Sequence, residues 1–362
     1  MSFSSKAADM SFMSRVFSRT WSVALWTTGF VWFFGLFFLP GIFLFEAGSQ
    51  NAVAESTVSH RIIAVATTGM VADMVRAVGG ENVEVAQLMA SGVDPHLFKP
   101  GRHDMLALIK ADVIFYNGLL LEGRMTDALA RLGDAGRHVV AVSSNIPQDM
   151  LFVKPGGATS LQEGHPDPHV WMDPGLWALG VDCVADALCD EDETSCAVFR
   201  QRAAVYRGEI ESLVSYGNER LTAIPPSKRV LITSHDAFRY FGRRFDLEVV
   251  GIQGISTESE AGLREIEELV RLIVGRGVEA VFTESTISPR NIAALRAGVT
   301  ARGNAVADGG ELFADAMGAP GTAEGTYPGM IRHNIETVRA ALLGTDNVHK
   351  QNVEASKDEN TE

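Results

Sequence analysis

The sequence predicts an α/β protein of two lobes joined by one long helix, and three observations carry that prediction. From residue 61 onward, short β-branched runs alternate with amphipathic helical patterns, the mark of helices layered on sheets. The alternation breaks over 196–224, a stretch with few Gly, no Pro and many helix formers, and then resumes to residue 343. A helix of that length would be roughly 40 Å long, which suits a connector between lobes better than a core element. Pro225-Pro226 stops it, because proline lacks the N–H that helix continuation needs. A length of 362 residues agrees with about two domains at roughly 150 residues each.

The chain begins under different rules. Ten of its 19 Phe and three of its five Trp fall in the first 45 residues, with no charged residue from Trp21 to Phe45. Lys6, Arg15 and Arg19 precede this run, and Ala52-Val53-Ala54 follows it. Basic head, apolar middle and A-x-A sequence describe an export signal over 1–54, cleaved after Ala54. The run is also long enough to cross a bilayer as a retained anchor, although Pro40-Gly41 interrupts it near its outer end. No Cys lies near this segment, so it offers no thiol for lipid attachment. In either case residues 55–362 are expected outside the cytoplasm, in the periplasm.

Within the first lobe, 55–195, the pattern predicts strands over 61–66, 83–89, 113–116 and 138–142, with helices over 71–78 and 105–110. The linking helix occupies 196–224. The second lobe, 225–344, carries predicted strands over 229–233, 247–250, 280–283 and 305–307, and helices over 263–275, 291–301 and 327–343. The polar, charged segment 345–362 has too few apolar residues to join a core and is expected to be disordered. The three Cys form no metal motif. In an oxidising compartment Cys189 and Cys196 could close the acidic loop 190–195 as a disulfide, leaving Cys183 as a buried thiol.

The formal net charge is −14, and loss of 1–54, with three basic and two acidic residues, makes the remainder one unit more negative. Such a surface repels nucleic acid and anionic lipid and is compatible with handling cations. The chain contains no H-E-x-x-H, no G-x-S-x-G and no G-x-x-x-x-G-K-[ST], so the common zinc-protease, serine-hydrolase and nucleotide-binding signatures are absent.

Three of the nine His stand in polar turns after predicted strands or loops, where α/β folds present ligands. They are His96 in Val93-Asp94-Pro95-His96, His169 in Asp167-Pro168-His169, and His235 in Thr233-Ser234-His235-Asp236. Asp-Pro-His occurs twice: the proline fixes the turn, and the neighbouring carboxylate can orient the imidazole. Imidazole nitrogen with carboxylate oxygen is a ligand set for Zn²⁺, Mn²⁺ or Fe²⁺. A carboxylate from the turn that holds Asp308, Glu311 and Asp315 would complete four ligands, and spacing alone does not choose among the three. Three His and a carboxylate fill a tetrahedral shell, whereas a catalytic metal keeps a position open. The rival reading is a secreted metallohydrolase using the same residues, with Asp173, Asp236 or Glu284 as base.

At these positions the sequence resembles the metal-binding solute-binding proteins of ABC importers, the TroA/ZnuA-type family, and within it the TroA subtype most. The motifs are VDPHLFKP at 93–100, DPHVWMDP at 167–174, ITSHDAFRYF at 232–241 and GELFADAMGAPGTAEGTYPGM at 310–330. The resemblance implies two lobes, each with a parallel sheet flanked by helices, joined by one rigid helix. It implies one divalent metal ion, Mn²⁺ or Zn²⁺, in the cleft between the lobes. The ligands would be His96 and His169 from the first lobe and His235 and Asp315 from the second. It further implies a membrane permease of an ABC importer as partner, a monomer, and no enzymatic activity. Within that family a Glu in place of the third His accompanies manganese, and a His-rich loop before the second His accompanies zinc. This chain has His235 and, over 154–168, only His165.

Overall fold

The computed structural model describes residues 61–153 and 164–344. The expected export segment over 1–54, residues 154–163 and residues 345–362, where disorder is expected, lie outside the described residues. The first lobe runs β1 (Ile62–Ala66), α1 (Gly69–Gly79), β2 (Val83–Gln87), α2 (Arg102–Lys110), β3 (Val113–Tyr116), α3 (Thr126–Asp134) and β4 (His138–Ala141). Its four strands form one parallel sheet in the order β2-β1-β3-β4. Helices α4 (Pro174–Trp177) and α5 (Leu179–Glu191) follow.

Helix α6 (Cys196–Leu221) is the expected long element, 26 residues and thus roughly 40 Å. Phe199, Ala203, Tyr206, Ile210, Leu213, Gly217 and Leu221 are buried along it, spaced by three or four residues so that they line one face. That face lies against α1, α4 and α5 of the first lobe and against helices of the second. Its first half is tied to the first lobe by Tyr206 Oη donating to Asp73 Oδ2 at 2.7 Å. Its second half is tied to the second lobe by Tyr216 Oη and Arg220 Nε, which donate to Glu336 Oε1 at 2.6 and 2.7 Å. The helix is therefore anchored on both sides. A Cβ on Gly217 would stand 2.3 Å from Phe245 Cε1, so glycine is what lets α7 pack this closely.

The second lobe comprises β5 (Val230–His235), α7 (Arg239–Phe245), β6 (Glu248–Gln253), α8 (Leu263–Arg276), β7 (Ala280–Glu284), α9 (Arg290–Thr300), β8 (Ala307–Leu312) and α10 (Tyr327–Leu343). Its parallel strands form two ladders, β5 with β6 and β7 with β8, and β5 lies beside β7. All six residues of β5 are buried, as expected of a strand covered on both faces. The last helix matches its sequence prediction, with the Thr326 hydroxyl accepting from Gly329 N at 3.2 Å and Pro328 in the first turn.

Several elements differ from expectation. Helices α3, α4, α5 and α7 carry no prediction; α4 and α7 are only four and seven residues long, too short for a clear period. Residues 190–195 are not an open loop: α5 runs to Glu191, and a single 3₁₀ turn, Glu193–Ser195, follows. Asp192 Oδ1 holds that turn by accepting from Thr194 N and Ser195 N. The Cys189–Cys196 disulfide is formed, whereas Cys183 is half-buried with Ala141 O 3.6 Å away. Strand β8 reaches Leu312, beyond the predicted 305–307, because pairing to β7 imposes extended backbone on a sequence of low β propensity. A Cβ on Gly309 would lie 2.5 Å from Phe282 Cε1, so this strand passes only as glycine.

Between the lobes the main core is continuous, joining Met74, Trp171 and Trp177 to Phe241, Phe282 and Tyr327. Trp171 Nε1 donates to Ala314 O at 2.9 Å, and Tyr327 Oη donates to Trp171 O at 2.7 Å. Arg244 grips buried Asp173 through two hydrogen bonds of 2.6 and 2.8 Å. Replacing Arg244 with Ala leaves that carboxylate without its cation. With Arg244 about one-third exposed, the expected loss is about 2–4 kcal/mol. Urea unfolding of the metal-free protein checks this, and a change below about 0.5 kcal/mol would contradict it.

Candidate metal centre

Each expected ligand sits where a turn or a strand end presents it. His96 follows β2 in a turn closed by its own N–H, which donates to Asp94 Oδ1 at 2.8 Å. His169 repeats that turn, its N–H donating to Asp167 Oδ1 at 3.0 Å. His235 ends β5, and Asp315 lies in the connection from β8 to α10. The four side chains converge, with His Nε2 and carboxylate oxygen atoms all within 4.8 Å of one another. His96 Nε2, His169 Nε2 and His235 Nε2 stand 3.6, 3.4 and 3.3 Å from Asp315 oxygens. Their exposures are 3%, 0%, 0% and 1%. Among the three carboxylates left open by the sequence, Asp315 alone enters the cluster. Asp308 and Glu311 lie on exposed positions of β8, and Asp308 pairs with Arg296.

Two of the imidazoles are oriented from behind. Asp167 Oδ1 lies 2.7 Å from His169 Nδ1, and Glu284 Oε2 lies 2.5 Å from His235 Nδ1. Glu284 Oε1 also accepts the His235 N–H at 2.9 Å. A carboxylate on Nδ1 fixes the proton there and turns the Nε2 lone pair inward, the arrangement of metal-ligating histidines. Facing them, both Asp315 oxygens and His235 Nε2 are buried with no hydrogen-bond partner. Leaving such atoms uncompensated costs about 1–3 kcal/mol each, so the donor set fits a divalent cation at its centre.

The electrostatics separate the three histidines. Burial pushes the His96 pKa down to about 3, with the neighbouring His169 and His235 adding to the shift against the pull of Asp315. At His169 burial also lowers the value, but Asp167 and Asp315 outweigh it and hold it near 9. At His235 burial is likewise outweighed, by Glu284 and Asp315, and the pKa is well raised. Burial acts to raise the Asp315 pKa, yet His235 and His169 hold it well below the usual carboxylate range. A cation entering this cluster therefore replaces protons.

Two of the three candidate bases of the hydrolase reading are committed elsewhere. Asp173 caps α4 through Gly175 N and binds Arg244, and both Glu284 oxygens serve His235. Asp236 is half-buried and 4.0 Å from Arg239. One supporting unit had no sequence signal strong enough to be read. Glu122, fully buried, accepts from Thr67 Oγ1 and Asn117 N at 2.7 Å each. Asn117 Nδ2 in turn donates to Pro168 O at 3.1 Å, bracing the His169 turn. The available signal was Tyr116-Asn117-Gly118 at a strand end, followed by Leu119 and Leu120 at φ 55° and 64°, an unusual strained pair.

Comparison with known proteins matches residues 64–341 to a family model, ZnuA, described as the periplasmic component A of the zinc-uptake complex. The zinc-binding protein TroA of Treponema pallidum is 43% identical over 295 residues, covering 82% of this chain and 92% of that protein. The manganese-binding lipoprotein MntA of Bacillus subtilis is 39% identical, covering 82% and 94%. The solved structure of periplasmic zinc-binding TroA from Treponema pallidum superposes with a TM-score of 0.74, covering 78% of this chain and 99% of that one.

The geometry makes Glu284 a direct test of the cluster. A Glu284→Gln variant has one acceptor oxygen where the His235 backbone N–H and Nδ1–H each need one, and is expected to weaken Zn²⁺ binding about 10–100-fold. Competition against a chromophoric chelator reads this, and wild-type affinity in the variant would contradict it.

Proposed function

We propose, because this chain belongs to the ZnuA family, that it captures one divalent transition-metal ion outside the cytoplasm and delivers it to an ABC-type importer. Relatives carry the names of zinc-binding and manganese-binding proteins, and we assign Zn²⁺ or Mn²⁺ to this chain as cargo. The ligands we propose are His96, His169, His235 and Asp315. The observation that carries this reading is the pair of buried Asp315 oxygens that lack hydrogen-bond donors and face three imidazole nitrogens.

The division of labour follows. Residues 1–54 direct export to the periplasm, 55–195 and 225–344 each supply two ligands, and 196–224 joins the lobes. No helix among the described residues is long and apolar enough to cross a membrane. The chain acts as a monomer that presents its loaded form to the permease. Donors from both lobes are satisfied together only when the lobes are close, so the ion holds them shut. A long helix packed on both sides allows only a small opening motion. With three nitrogens and one oxygen, Zn²⁺ is held more tightly than Mn²⁺ by the Irving–Williams order. The metal that the cell loads is then set by supply as well as affinity. We propose no catalytic activity: the four ligands enclose the ion and leave no position for a reacting water.

Metal analysis of residues 55–362 produced with Mn²⁺ and Zn²⁺ together is expected to give about one ion per chain. That content falls sharply in His96→Ala, His235→Ala and Asp315→Ala, and unchanged content in these variants would overturn the assignment. The pH dependence has a definite sign. His169, whose pKa Asp167 and Asp315 hold near 9 against the effect of burial, takes up a proton more readily than a free imidazole, so protons compete with the metal and falling pH strengthens that competition. Apparent affinity is expected to drop about 100-fold or more from pH 7.5 to 5. A flat profile in a chelator titration would contradict metal binding at these imidazoles.

A further inference from the structure

The two Asp-Pro-His turns have the same sequence and the same backbone hydrogen bond, yet their carboxylates are used differently. In the His169 turn, Asp167 Oδ1 accepts both the backbone N–H and the ring Nδ1 of its own histidine. In the His96 turn, Asp94 Oδ1 accepts the His96 N–H at 2.8 Å, but Oδ2 accepts from Thr257 Oγ1 at 2.6 Å. Thr257 belongs to the opposite lobe, in the strap 254–262 between β6 and α8, and lies 163 positions away in sequence. His96 is also the exception among the three histidines: among the described residues, no carboxylate binds its Nδ1. His169 and His235 are each fixed from behind within their own lobe, whereas His96 depends on its turn.

We propose that Thr257 is a positioning residue for His96: its hydroxyl, through Asp94, sets the His96 turn only when the two lobes are together. This rests on the metal-carrier reading above and assigns that site a latch. Other hydrogen bonds cross between the lobes, such as Ser91 Oγ to Met317 O at 2.8 Å and Tyr240 Oη to Asp167 O at 2.9 Å. Among the described residues, the Thr257 contact is the one hydrogen bond from the facing lobe to a side-chain oxygen of a carboxylate that closes a ligand's turn; Arg239 Nη1 stands 3.9 Å from Asp167 Oδ2, an ion pair beyond hydrogen-bond distance. The neighbouring Arg124–Glu258 pair, at 3.2 Å with both side chains at least one-third exposed, crosses the same gap but touches no ligand-bearing turn. Exposed pairs of that kind contribute little. The consequence is an order of events: lobe separation removes the Thr257 hydroxyl from Asp94, His96 loses its fixed position, and the ion is left with three ligands. His96 is then the ligand that lets the ion go.

The test is the rate at which Zn²⁺ passes from the loaded, full-length chain to excess chelator in a stopped-flow mixer. Thr257→Val keeps the shape and removes the donor, and is expected to release Zn²⁺ about five- to tenfold faster than wild type. Thr257→Ser restores the hydroxyl and should return the rate to within about twofold of wild type. Arg124→Ala, which cuts only the neighbouring ion pair, should also stay within about twofold. The melting temperature of the metal-free Thr257→Val protein should lie within about 2 °C of wild type, since one part-buried hydrogen bond moves the melting point of a chain of this size little. Wild-type release from Thr257→Val, or failure of Thr257→Ser to restore the rate, would overturn the latch while leaving the carrier reading intact. Acceleration by Arg124→Ala equal to that of Thr257→Val would also overturn it, because any lobe contact would then suffice. A wild-type chain that retains no Zn²⁺ would instead overturn the carrier reading itself.

Discussion

Asp315 is fully buried, and both of its oxygens face imidazole nitrogens contributed by two lobes. A carboxylate in that position carries a desolvation cost of several kcal/mol, which only positive charge at the cluster can offset. His169 and His235 beside it hold the Asp315 pKa well below the usual carboxylate range, and a divalent cation supplies the positive charge more fully. Because the carboxylate and His235 come from the second lobe and the other two imidazoles from the first, the full compensation forms only with the lobes together. Cargo binding and lobe closure thus share one electrostatic origin.

The rest of the fold reads as support for that arrangement. Strand ends place His235 and Glu284 side by side, since β5 and β7 lie next to one another, and Glu284 uses both oxygens on one histidine. The segment after His169 does a second job by sending Trp171 and Asp173 across the boundary, to Ala314 and Arg244. Helix α6 fixes the lobes to a common rod, so that the opening motion is small. Within this rigid frame the carboxylate that closes the His96 turn is braced by a hydroxyl from the facing lobe.

Much of this was legible in the chain itself. The repeated Asp-Pro-His turns and the polar end of an apolar strand pointed to the three histidines that converge in the cluster, because local geometry and local sequence coincide there. The long helix and the last helix were legible for the same reason, with uninterrupted helix formers and clear stops. The carboxylate of the cluster was not, since Asp308, Glu311 and Asp315 share one turn and differ only in what β8 does. Its extension to Leu312 rests on pairing with β7, a tertiary effect imposed on Gly309 and Gly310, which carry no strand signal of their own. The family resemblance, rather than spacing, pointed to Asp315. Helices α4 and α7 were too short to show a period, and α5 was obscured by its acidic end. The Thr257–Asp94 contact, spanning 163 positions, leaves no local trace at all.

X-ray absorption at the zinc edge of the Zn²⁺-loaded protein tests the central claim most directly, because it reads the identity and distance of the atoms touching the ion. Binding at these four side chains gives a coordination sphere of nitrogen and oxygen at about 2.0–2.2 Å, with the outer-ring scattering of three imidazoles and no sulfur. A sulfur contribution near 2.3 Å, or scattering from fewer than three imidazoles, would contradict it.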